Sequence, residues 1–124
     1  MLTMVIGTPG YKKDSKGFPI GRPNNSHSFE TYLATGTGLG YELYPSEVAS
    51  IQAALKSSSC KLVMLRNDMQ KKRAEGRLIG IKQTPSRTKR NNWRYDVLFE
   101  SQKEIKPYVY LPNEKLKHNG VKVF

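Results

Sequence analysis

The chain has 124 residues, 37% of them apolar and 25% charged, with 21 Lys and Arg against 10 Asp and Glu for a formal charge of +11. This length suits a single domain spanning 1–124 with its own core, and the lone cysteine, Cys60, excludes an internal disulfide and a cysteine-based zinc site. The longest strongly apolar run, residues 62–65, is far short of the roughly 20 needed to cross a membrane, and the N-terminus lacks the basic leader of a secretory signal, so a cytoplasmic protein with no membrane partner is expected.

Residues 2–6 form a short apolar stretch that predicts a first strand. Residues 7–28 are dense in Gly, Pro, Asn and Ser and read as an irregular arm, with room for a small hairpin. Residues 29–34 have strand character, the glycine-rich stretch 35–40 reads as a flexible connection, and 41–44 as another short strand. The spacing Gly36-x-Gly38-x-Gly40 is not a dinucleotide fingerprint, and no Lys-Ser or Lys-Thr follows to make a phosphate-binding loop. One packed helix is predicted over about 46–56. Ser46 would serve as its N-cap, Glu47 would face its positive end, and Val48, Ile51 and Leu55 would form one apolar stripe.

The rest of the chain reads as strands. Residues 61–66 have the continuous apolar centre of a buried strand. Residues 68–75 fit either a helical turn capped by Asp68 or an extended connector. Residues 77–84 alternate Ile79 and Ile81 with Gly80 and Lys82. In residues 93–100, Trp93, Tyr95, Val97 and Phe99 point one way and Arg94, Asp96, Leu98 and Glu100 the other. Residues 108–111 and 121–124 supply two more short strands, the first bracketed by Pro107 and Pro112.

The predicted fold class is therefore α+β, mostly β: a small curled antiparallel sheet or barrel with one packed helix. The pair Glu75-Gly76-Arg77-Leu78-Ile79-Gly80-Ile81 and Trp93-Arg94-Tyr95-Asp96-Val97-Leu98-Phe99 resembles the central hairpin of SH3-like barrels of the Tudor and Agenet type. The resemblance covers about 25 residues and implies the barrel. The family's Asp-Gly turn is missing, because Ser101 and Gln102 follow Glu100, and no aromatic cage for methyl-lysine can be assigned.

The charge is unevenly placed. Residues 1–60 hold five cations and four anions, a net of +1, whereas residues 61–94 hold eleven cations against Asp68 and Glu75, a net of +9. Such asymmetry points to an anionic partner, either nucleic acid, DNA or RNA, or an acidic protein surface. The connection 84–92 carries Arg87, Lys89 and Arg90 with no acid of its own. It reads either as a phosphate-binding hairpin or as a solvated loop. Lys71, Lys72 and Arg73, with Arg66 and Arg77, form a second basic element. It would make one stripe with the loop if the two met in space, with Lys82 and Arg94 in support.

Trp93, Tyr95, Tyr108 and Tyr110 are candidates for stacking on unpaired bases, although Trp93 and Tyr95 share a face with Val97 and Phe99, which favours the core for those two. Asp96, Glu104 and Lys106 have the loose order of a metal-dependent nuclease. His27 and His118 lack partners at metal-ligand spacing, and Cys60 reads as a buried structural thiol. The sequence assigns no catalytic residue, metal ligand or cofactor. Its leading function is non-enzymatic nucleic-acid binding through phosphate contacts. The alternatives are an adaptor or inhibitor docking an acidic protein, and the nuclease.

Overall fold

Strand and helix boundaries follow from where apolar side chains find cover. The computed structural model describes residues 1–8, 12–13, 16, 19–20, 27–66, 71–106, 114, 116 and 120–124. Along the chain these form β1 (Thr3–Gly7), β2 (Lys12–Lys13), β3 (Pro19–Ile20), α1 (Phe29–Thr35), β4 (Thr37–Glu42), α2 (Pro45–Ser57), β5 (Cys60–Arg66), β6 (Lys72–Arg87), β7 (Trp93–Glu104) and β8 (Val121–Val123). The small hairpin in the arm is β2 paired with β3. The rest of the arm apart from residues 7, 8, 16, 27 and 28, the candidate strand 108–111 with Tyr108 and Tyr110, residues 67–70 and His118 lie outside the described residues.

The fold is α+β and mostly β, built on one curled six-stranded sheet in the order β4-β7-β6-β5-β1-β8. The curl brings β4 back toward β1, with three strands between them in that order. The Tyr41 hydroxyl donates to the Gly7 carbonyl at 2.6 Å, and a Cβ on Gly38 would sit 3.1 Å from Ile6 Cδ1. Most pairings are antiparallel, as expected, but β1 and β5 run parallel, with Met4 opposite Leu62 and Ile6 opposite Met64. That pairing explains the unbroken apolar run of β5. Central parallel strands are covered on both faces, and Met4, Ile6, Leu62 and Met64 join the main core while Val5, Val63 and Leu65 form a second cluster against Leu116.

Both helices contribute to the main core, through Phe29 and Tyr32 of α1 and Ile51 of α2. The helix α2 runs close to its predicted span, although Tyr44 rather than Ser46 precedes it. The Glu47 carboxylate accepts the Tyr44 N–H at 2.9 Å. The segment predicted as a strand over 29–34 is instead α1. Ser28 caps it by accepting the Thr31 N–H at 3.1 Å, and Phe29 and Tyr32, three apart, are buried together. Its aromatic and threonine content suggests a strand, but the cap and the spacing are helical signals. Gly36 ends the helix at φ 72°, and its N–H bonds the Tyr32 carbonyl.

The glycine-rich stretch after it is not a flexible linker but most of β4, with a register shift between Gly38 and Tyr41. β6 also departs from simple alternation. A bulge between Leu78 and Gly80 buries Leu78 and leaves Ile79 48% exposed. Near its end the register shifts again between Gln83 and Arg87, a stretch holding Pro85, where a missing N–H costs no ladder bond. Thr84 there donates its hydroxyl to the Arg94 carbonyl at 3.0 Å. Among the described residues, no helix is long and apolar enough to cross a membrane.

Candidate functional site

The two basic elements lie at opposite ends of β6. Its 16 residues span about 50 Å at roughly 3.3 Å each, so the 71–73 cluster and the hairpin loop form no continuous stripe.

The proximal cluster is largely engaged by carboxylates. Arg66 is only 2% exposed and Arg73 only 3%, so these two of the expected phosphate-contacting side chains are turned inward. Arg66 and Lys72 face each other across β5 and β6, and both reach Glu30 of α1, at 3.3 Å and 2.6 Å. Burial raises the Glu30 pKa, but the hydrogen bond from Lys72 and the nearby charges outweigh it, and the net shift is downward. On the opposite face of the sheet, Arg73 forks onto the buried Glu114 and also bonds Glu75 at 2.9 Å. Glu75 in turn meets Lys61 at 3.2 Å. Arg77 pairs with Glu100 across the hairpin. These cations hold α1 and Glu114 to the sheet. Only Lys71 of this cluster is exposed without an ion pair among the described residues.

The distal end is different. β6 and β7 close through Lys89, Arg90 and Asn91, with the Thr88 N–H on the Asn92 carbonyl at 2.8 Å and the Asn91 N–H on the Thr88 carbonyl at 2.9 Å. Asn91 has φ 63°, the left-handed conformation that Asn tolerates and that three-residue hairpin loops need at their third position. The loop has an acid after all, supplied by β4. The Glu42 carboxylate, 4% exposed, accepts from Arg90 at 2.8 and 3.2 Å, from Asn92 at 3.1 Å and from the Thr88 hydroxyl. Bonds from Arg90 first and then Thr88 outweigh the burial and hold its pKa at about 2.

Arg90 is therefore a clamp residue, still half exposed. Arg87 lays its guanidinium 3.9 Å from the centre of the Trp93 ring and donates to Asn91 Oδ1 at 2.9 Å. Arg94 bonds the Gly40 carbonyl at 2.9 Å, and Lys82 stands opposite Asp96 in the ladder. Lys82, Arg87, Lys89 and Arg94 are all exposed and form no ion pair among the described residues. Over residues 82–94 five cations meet two carboxylates, Glu42 and Asp96, leaving a local charge of +3.

Beside this tip lies a groove of about 370 Å³ between α2 and the hairpin. Its walls are the aromatic rings of Trp93 and Tyr95 and the apolar groups of Leu43, Val48 and Ala49. Gln52, Asn91 and Asn92 add amides, and no charged side chain lines it. Trp93 and Tyr95 were candidates from the sequence, but the groove they line was not, because its wall from α2 lies about 40 residues away from the hairpin and meets it only through packing.

The nuclease order does not assemble. Asp96 and Glu104 sit eight residues apart on β7, about 26 Å at strand rise. Asp96 accepts the Gly40 N–H, and Glu104 pairs with Lys106 at 3.3 Å. No group of three His, Cys, Asp or Glu side chains positioned for a metal occurs among the described residues. Cys60 is buried. Comparisons with protein families, curated proteins and solved structures found no match to this chain.

Proposed function

We propose that this chain is a non-enzymatic nucleic-acid-binding domain that takes phosphate on the distal half of the β6–β7 hairpin. The observation that carries the reading is the charge left at the tip. Lys82, Arg87, Lys89 and Arg94 remain exposed without an ion pair among the described residues, while Arg66, Lys72, Arg73, Arg77 and Arg90 are engaged by carboxylates. A projecting hairpin with forked and point-charge donors suits phosphate oxygens. Such contacts position a strand without selecting its sequence.

Four phosphate contacts correspond to a slope of log K against log salt of about −3.6 on duplex DNA and about −2.8 on a single strand. Titration of labelled duplex DNA, single-stranded DNA and RNA between 50 and 200 mM salt measures it. Lys89→Ala or Arg94→Ala should weaken binding and flatten the slope by about one contact. Absence of binding at about 50 mM salt on all three would end the proposal, and a partner retained from lysate after nuclease digestion would favour an acidic protein surface instead.

A further inference from the structure

The groove beside the hairpin tip has a composition that a bare phosphate would not use. At about 370 Å³ it falls near the lower end of small-ligand sites, roughly 300–1,000 Å³. The aromatic residues Trp93 and Tyr95 and an aliphatic wall offer apolar contact, one face of the Trp93 ring being already covered by Arg87. The amides of Gln52, Asn91 and Asn92 offer neutral hydrogen bonding. Asn91 uses its Oδ1 on Arg87, and Asn92 uses its Nδ2 on Glu42. Each therefore keeps its other amide atom, a donor on Asn91 and an acceptor on Asn92. Arg87 touches both Trp93 and Asn91, so its charge stands at the rim of the groove, two residues from Lys89.

We infer that this groove receives one unpaired base of a single-stranded nucleic acid, whose flanking phosphates lie on Arg87 and Lys89. The inference rests on the nucleic-acid reading above and deepens it. A flat, polar-edged aromatic ring carried on an anionic strand matches an uncharged aromatic groove with cations at its edge. A methylated lysine or other cationic side chain would be repelled by the same cations. A base within a duplex has both faces stacked and its pairing edge occupied, so only an unpaired base can enter. The strand chemistry is shared by DNA and RNA, and the experiment separates the two.

The test compares five labelled probes by fluorescence anisotropy at 50 mM salt: a 12-nucleotide oligothymidylate, the matching oligouridylate, an abasic strand of the same length and backbone, a 12-base-pair DNA duplex and a 12-base-pair RNA duplex. The strand with bases should bind about tenfold or more tightly than the abasic strand and its corresponding duplex. Whether the thymidylate or the uridylate leads identifies the natural class of strand. Ala49→Phe fills the groove from an exposed position on α2, and Gln52→Leu removes an amide without adding bulk. Either variant, checked as folded by circular dichroism, should abolish the advantage of bases over the abasic strand and leave abasic and duplex binding unchanged. Equal affinity for the based and abasic strands would overturn the groove assignment while phosphate binding stood. So would an advantage that survives both variants. No binding to any probe would remove the underlying nucleic-acid reading itself.

Discussion

Replacing Glu42 by Gln tests whether β4 clamps the hairpin tip. The two side chains have nearly the same shape, but the carboxylate accepts on both oxygens, from Arg90 on Oε1 and from Thr88 and Asn92 on Oε2. An amide has one accepting oxygen, so one set of donors would face an NH2 group whichever way it turned. The wild-type carboxyl is lowered from 4.5 to about 2, which corresponds to about 3 kcal/mol as a ceiling. Arg90 is half exposed and therefore screened, which brings the expected loss to about 1–2 kcal/mol at pH 7. For a domain of this size that is a fall in Tm of about 4–8 °C.

The pH dependence follows from the direction of the shift. The folded pKa is depressed, so the contribution is fully present above the unfolded value near 4.5 and is lost as pH falls through about 2. Urea or thermal unfolding from pH 7 to pH 2 should show the wild type and Glu42→Gln curves separated at neutral pH and converging in acid. The gap should also narrow at high salt. A gap of zero at pH 7, or one that stays constant down to pH 2, would refute the clamp.

Arg73→Met should destabilise by about 3 kcal/mol or more, because it leaves the buried Glu114 without its forked cation. Lys89→Ala, at an exposed position, should change stability by less than about 0.5 kcal/mol. Chemical denaturation of the two variants side by side distinguishes the structural cations from the tip cations. Gly36→Ala combines a left-handed φ of 72° with a Cβ placed 2.6 Å from the Phe99 carbonyl oxygen, across the β4–β7 junction. It should cost about 2–3 kcal/mol, read as a lower urea midpoint with an unchanged slope.

Some elements were legible in local pattern because local pattern caused them. Alternation along β7 buries Tyr95, Val97 and Phe99 and turns Arg94 and Asp96 away. The unbroken run in β5 marked a strand covered on both faces, and the spacing of Val48, Ile51 and Leu55 marked α2. Where local signals competed, the wrong one was easy to favour. The β-prone residues of α1 obscured a cap at Ser28 and two aromatics three apart. The glycines of β4 suggested freedom, whereas at Gly38 the space for a Cβ is taken by Ile6 and Tyr41.

Alternation and composition are properties of neighbouring residues, and they were enough to read a mostly β chain with one hairpin region rich in cations. Which of those cations remain available depends on contacts that form only on folding. Arg66, Lys72 and Arg73 meet Glu30, Glu75 and Glu114, and Arg90 meets Glu42, 48 residues away in the chain. The groove likewise exists only because α2 packs beside the hairpin. An ion pair acts over a few ångströms of space rather than along the chain, so a count of charge in sequence becomes a binding surface only after folding has chosen its partners.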